Sequence, residues 1–162
     1  MSVSPVALRR GTPADVDRVA EIWALATSTR DAIDPAPLEV SRERIDEALA
    51  EPGSFVLVAE RAGDVIAFAL VHRERGAGER AAELRFLATD PAQWSAGAAT
   101  ELLEALPGVL REAGYERVCL TVYAPNPRAR SLYEHMGWAR DGTPPRSSKR
   151  TGKLKLRYRL SL

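Results

Sequence analysis

The chain has 162 residues, enough for one domain with a substantial core. Its 23 basic and 22 acidic side chains leave a formal charge of +1, so no global field points to nucleic acid or to a membrane surface. No apolar run approaches the ~20 residues that span a bilayer. Cys119 is the only cysteine, which excludes an intrachain disulfide and fits a reducing compartment. With two distant histidines, His72 and His135, it also argues against a structural zinc site. The start, Met1-Ser-Val-Ser-Pro, lacks a basic region followed by an apolar one, so the expectation is a cytoplasmic protein without a secretory signal.

Val6 to Arg10 reads as a first strand. Thr12 and Pro13 then look like an N-cap and first helical position, with Asp15 placed to reach back. Val16, Val19, Ala20, Trp23 and Ala26 follow at helical spacing, and this helix should end near Thr29. Asp31 to Leu38 reads as a loop. Ser41 is the expected cap of a shorter helix with Ile45, Ala48 and Leu49 inward, ended by Pro52-Gly53. Two apolar runs, Phe55 to Glu60 and Val65 to His72, are joined by a hairpin turn at Arg61 to Asp64. Arg73 to Arg80 is charged and reads as an exposed loop.

Glu83 to Thr89 is the fourth strand. A helix is expected from about Gly97 to Ala113, with Leu102, Leu103, Leu106, Val109 and Leu110 on one face. Pro107 should kink or break it between Leu103 and Gly108, and Gly114 should stop it. Arg117 to Tyr123 is the fifth strand. Asn126 and Pro127 open a last helix that Gly137 ends, with Ala129, Leu132, Tyr133 and Met136 on one face. A strand begins at Trp138, Thr143 to Gly152 reads as a loop, and Leu154 to Leu160 alternate with cations as a half-buried closing strand. This order implies an α/β protein with a mixed sheet. The strand-helix-strand crossover from Glu83 to Tyr123 should be parallel and right-handed.

The strand, turn and helix from Glu83 onward suggest a first functional hypothesis. A helix N-terminus presents unpaired N–H groups and the positive end of its dipole. The small residues Gly97, Ala98 and Ala99 would let a phosphate approach those groups.

Asn126-Pro-Arg-Ala129-Arg-Ser-Leu-Tyr133-Glu-His-Met-Gly137-Trp138 gives that phosphate an identity. The run resembles the GNAT N-acetyltransferase superfamily, whose pattern here is Asn, Ala, Tyr, then Gly and an aromatic residue at this spacing. The element order is similar too. The resemblance implies the GNAT acyl-CoA N-acyltransferase fold. That fold has a central mixed six- to seven-stranded sheet flanked by about four helices, here as a single domain over residues 1–162. It implies an enzyme that takes acetyl-CoA, without a metal, and acetylates a primary amine by direct attack in a ternary complex. The family's acetyl-CoA loop falls on Trp94 to Ala99: Gly97 and Ala99 fit, Trp94 stands in place of Arg or Gln, and Ala96 in place of a residue that is often basic.

Carried over residue by residue, the resemblance makes Tyr133 the acid for the departing sulfur. Leu87 and Thr89 become main-chain partners of the pantetheine arm, Gly97, Ala98, Ala99 and Thr100 the phosphate loop, and Asn126 a cofactor contact. Each also has a plainer reading: Tyr133 as a residue of an apolar helix face, Leu87 and Thr89 as ladder residues, Asn126 as a helix cap. Glu83 is the first choice for general base, with Asp31, Asp34 and His72 as rivals and a solvated charge as the plain reading of each. The partner is an amine of unspecified identity, with neither nucleic acid nor membrane expected and a homodimer allowed. The alternative function is an acyl-CoA-binding regulatory module with little catalysis.

Overall fold

The structure, a computed structural model, describes residues 5–162, and the expectation drawn from Met1 to Ser4 lies outside them. Strands β1 (Ala7–Arg10), β2 (Phe55–Arg61), β3 (Asp64–Arg73), β4 (Ala81–Thr89), β5 (Arg117–Tyr123), β6 (Ala139–Arg140), β7 (Arg146–Ser147) and β8 (Leu154–Ser161) are accompanied by helices α1 (Val16–Asp31), α2 (Leu38–Leu49), α3 (Ala98–Glu112) and α4 (Pro127–His135). Two short 3-10 segments, Pro13–Asp15 and Pro91–Ala96, lead into α1 and α3. The strands form an open, mostly antiparallel sheet in the order β1-β2-β3-β4-β5-β8-β6, with β7 also paired to β8. A parallel ladder joins Ala81–Glu83 of β4 to Arg117–Cys119 of β5, as the crossover requires.

Two compact units divide the chain. The first comprises residues 5–72 and 85–102, the second 73–84 and 103–162. In the first, β1, β2 and β3 run antiparallel. Helices α1 and α2 supply Val19, Ala20, Ile22, Ile45 and Ala48 to a core shared with Val58, Phe68 and Leu70. Trp23 packs against Phe86 with the rings tilted by 52° and their centroids 4.4 Å apart. Thr12 and Asp15 form the expected start, with the Asp15 carboxylate accepting the Thr12 N–H at 2.7 Å. In the second unit, β5 and β8 pair over seven residues, and Val118, Leu120, Val122, Leu156 and Tyr158 are buried along them.

Four expectations about elements change. Helix α1 runs on to Asp31 because Ala32 takes a left-handed conformation (φ 54°) that closes its C-terminus. Helix α2 starts at Leu38, not at Ser41: Pro37 sets the cap position, and its carbonyl accepts from Val40 N–H at 3.0 Å. Ser41 lies inside the helix, buried on the same face as Ile45 and Ala48. Helix α3 continues through Pro107 as one element; the Leu103 carbonyl loses its usual donor, while the buried Leu102, Leu103, Leu106 and Leu110 hold the face together. Within the stretch read as the Thr143 to Gly152 loop, Arg146–Ser147 pairs with Leu154–Lys155, and Leu154 itself is exposed.

Candidate functional site

The first unit holds Leu87, Thr89 and the loop candidates. Asp90 caps the 3-10 segment after β4, accepting the Ala92 N–H at 3.0 Å, and Arg18 from α1 anchors it through an ion pair of 2.7 Å. Gly97 then turns the chain with φ 75°, in the left-handed region that favours glycine, and a Cβ there would meet nothing within 4 Å. The first bond of the α3 ladder runs from Glu101 N–H to the Gly97 carbonyl at 3.1 Å. The N–H groups of Ala98, Ala99 and Thr100 therefore precede the ladder as first-turn donors. These features fit a phosphate at the helix N-terminus.

Two details here were not visible from spacing. Ala98 is 1% exposed, so its side chain packs inward and only its main chain is available to a ligand. Trp94, half-exposed, donates its Nε1–H to the Thr89 carbonyl at 3.1 Å. That carbonyl already has a partner within the protein, on the residue assigned to the pantetheine arm. Leu87 is partly buried and Thr89 buried in β4. Of the rival bases in this unit, Asp31 is hydrogen-bonded by Arg30 at 2.8 Å, Asp34 is exposed, and His72 is buried in β3.

The second unit holds Glu83, Asn126 and Tyr133. Asn126 is a true N-cap: its side-chain oxygen accepts the Ala129 N–H at 3.3 Å. Helix α4 carries Tyr133 inward, 9% exposed, with Trp138 and Tyr158 rings 6.0 and 6.4 Å from its own. Burial alone pushes the Tyr133 phenol up to about 12, and among the described residues nothing hydrogen-bonds its hydroxyl. Such a group keeps its proton at neutral pH and has it uncommitted. Beside it, Tyr158 is fully buried; its hydroxyl donates to Glu134 Oε1 at 2.9 Å and accepts from Arg130 Nε at 3.2 Å. This clamp fixes α4 to β8. Its members stand four apart on the helix, a spacing visible in the sequence, but its tyrosine is remote.

Glu83 is partly buried and registers with Cys119 across the parallel ladder. Cys119 is buried, and burial first, then the charges of Glu74 and Glu83, push its thiol up to about 12. Arg157 ion-pairs with both Glu74 and Asp141 close by. The structure thus groups Leu87, Thr89 and the Gly97 to Thr100 loop in one unit, and Glu83, Asn126 and Tyr133 in the other.

The pattern of the Acetyltransferase (GNAT) family matches residues 14–138. The chain belongs to the GNAT acetyltransferase family. This GNAT chain is 32% identical over 129 residues to a mycothiol acetyltransferase from Brachybacterium faecium, a match covering 77% of the chain and 39% of that longer protein. Its fold is that of the solved GNAT proteins. A ribosomal-protein-alanine N-acetyltransferase from Brucella melitensis superposes with a TM-score of 0.78 at 23% identity, covering 96% of this chain and 99% of that one. YncA from Salmonella typhimurium, solved with its cofactor acetyl-CoA, gives 0.79 at 20% identity, covering 98% and 95%. Among the described residues no helix is long and apolar enough to cross a membrane.

Proposed function

We propose that this chain is an acetyl-CoA-dependent N-acetyltransferase acting on a primary amine by direct attack in a ternary complex. The observation that carries the reading is Tyr133: a buried phenol with an unshared hydroxyl, on a helix whose Asn126 cap and Gly137 exit match the family motif. When bound, acetyl-CoA supplies the reactive thioester. Tyr133 holds a proton at its phenolic oxygen and gives it to the departing sulfur. Glu83 takes the proton of the amine, directly or through water. The N–H groups of Ala98, Ala99 and Thr100 bind the pyrophosphate, and main-chain groups of Leu87 and Thr89 hold the pantetheine arm. Asn126 adds a cofactor contact beside its capping bond.

Support for the cofactor comes from family membership and from the open, glycine-turned start of α3. The same reading takes residues 1–162 as one functional domain in the cytoplasm, with a homodimer allowed and neither nucleic acid nor membrane as partner. Acceptors of both sizes, small amines and protein amines, belong in the test.

The test mixes the protein with acetyl-CoA and a panel of primary amines and follows free thiol. Thiol release with at least one amine is expected, and Tyr133→Phe should lower turnover roughly a hundredfold or more while acetyl-CoA affinity holds. Unchanged turnover in that variant removes the acid role. Acetyl-CoA binding with no thiol release on any amine replaces the enzyme with an acyl-CoA-binding module.

A further inference from the structure

In the second unit Glu74, Glu83, Cys119, Asp141 and Arg157 gather on one face of the sheet, and the proposed reaction uses Glu83 alone. The strand registers fix where the Arg157 side chain runs. Its backbone pairs with Thr121 of β5. Its guanidinium ion-pairs with Glu74, whose N–H donates to the Ala81 carbonyl at 2.8 Å, and Ala81 registers with Arg117. Thr121 and Arg117 are separated along β5 by roughly 13 Å, at ~3.3 Å per residue. The Arg157 side chain therefore crosses the row between them, which holds Cys119 with Glu83 beside it. The state of the sulfur agrees: burial first, then Glu74, hold the thiol protonated, and the charges of Arg157 and Glu83 also act on it.

Two carboxylates pin the cation in that course. Arg157 Nε donates to Asp141 Oδ2, and a terminal nitrogen donates to Glu74 Oε1. Asp141 is fixed in turn: its other oxygen accepts the Thr143 N–H at 2.9 Å, and its own N–H donates to the Arg157 carbonyl at 3.2 Å. The Glu74 and Asp141 side chains are only 14% and 10% exposed, so water screens these charges weakly.

We propose that Arg157 is a positioning residue for acetyl transfer, a fixed cation that keeps the Glu83 carboxylate charged and able to take the proton of the amine. The inference rests on the reading of Glu83 as the base. Without Arg157, Glu83 would share its face with two uncompensated carboxylates, and like charges favour the protonated form. With Arg157 held at both ends, its charge stays beside Glu83 at every stage of the reaction. The other charges to be reckoned with are Arg159, exposed and in register with Cys119; Arg85, two residues on in β4; and His72 and Arg73, which precede Glu74 at the end of β3. Substitutions at Arg157 and Glu74 leave all of these in place.

Two titrations of the full chain test it. One follows the Glu83 carboxyl carbon by NMR, assigned by its disappearance in Glu83→Gln. The other follows thiol release from acetyl-CoA with an accepted amine as a function of pH. Arg157→Gln removes the attraction that favours the charged form, so it should raise the Glu83 titration, and with it the acid limb of turnover, by about one pH unit. Arg157→Lys keeps the charge without the fork and should undo about half of that rise. Glu74→Gln removes a like charge and should move both titrations down, by about half a unit. An Arg157 that served the fold alone would lower activity without moving either titration, and would not give shifts of opposite sign. Where Arg157→Gln does not fold, Arg157→Lys and Glu74→Gln carry the test. Unmoved titrations, or shifts of the same sign at the two sites, overturn the inference while the acetyl-transfer reading stands. A wild-type chain that turns over no amine refutes that reading instead, and the NMR titration still decides whether Arg157 sets the charge of Glu83. Full turnover in Glu83→Gln removes the base and this inference with it.

Discussion

Replacing Tyr158 with phenylalanine tests how firmly α4 is held. The ring stays and the fully buried hydroxyl goes, with its bonds to Glu134 (2.9 Å) and Arg130 (3.2 Å). A hydrogen bond to a charged group is worth ~1.5–3 kcal/mol. Glu134 is exposed and Arg130 partly so, and both regain water when the hydroxyl is lost. The net loss therefore falls near the lower end, ~1–2 kcal/mol. For a chain of this size that lowers the melting temperature by ~2–8 °C. Thermal unfolding of wild type, Tyr158→Phe, Glu134→Gln and the double variant forms a cycle. A coupling of ~1 kcal/mol between the two sites is expected. Additive losses, with coupling below ~0.3 kcal/mol, would show that the bond does not hold α4 in solution. Because Tyr133 rides on that helix, Tyr158→Phe should also reduce turnover with little change in the KM for acetyl-CoA.

Gly11→Ala should destabilise the first unit, because the added Cβ would lie 2.2 Å from Cγ1 of the buried, β-branched Val56; overpacking of ~1–3 kcal/mol is expected in chemical denaturation. Bidentate hydrogen bonding by Arg9 holds Asp15 down at about 2, below its usual 3.8. A carboxyl lowered in the folded state adds stability above its unfolded pKa, lost as pH falls from about 4 towards 2. With Arg9 38% exposed the loss is discounted to about 1 kcal/mol, and Asp15→Asn should flatten that part of an acid titration of stability. Cys119, 4% exposed with its thiol pushed up to about 12, should react with a thiol reagent only on unfolding, so prompt modification of native protein would contradict its placement.

Much of the architecture could be read from periodicity and punctuation. Val16, Val19 and Ala20 announce α1, the Asn126-Pro127 pair announces α4, and the alternation through Leu156 and Tyr158 announces β8. Errors came where local signals competed. Ser41 looks like a cap, yet Pro37 sets the helix start earlier and Ser41 shares the inward face with Ile45. Pro107 looks like a break, yet four buried leucines on α3 outweigh one lost backbone bond. The candidate residues were legible through the motif, because caps and glycine exits are local. The Trp94 bond to the Thr89 carbonyl and the Arg130-Tyr158-Glu134 clamp were not. Each depends on how the chain folds back on itself, which spacing does not encode.

Trp94 also has an optical consequence. Of the three tryptophans, Trp23 packs on Phe86 and Trp138 is 3% exposed, whereas Trp94 is 38% exposed on the segment that leads into Gly97. Trp94 is therefore the indole that water-soluble quenchers reach most readily. The protein carries its own reporter at the start of α3: an occupant of that loop changes the emission of Trp94, and a titration can be followed without attaching a dye.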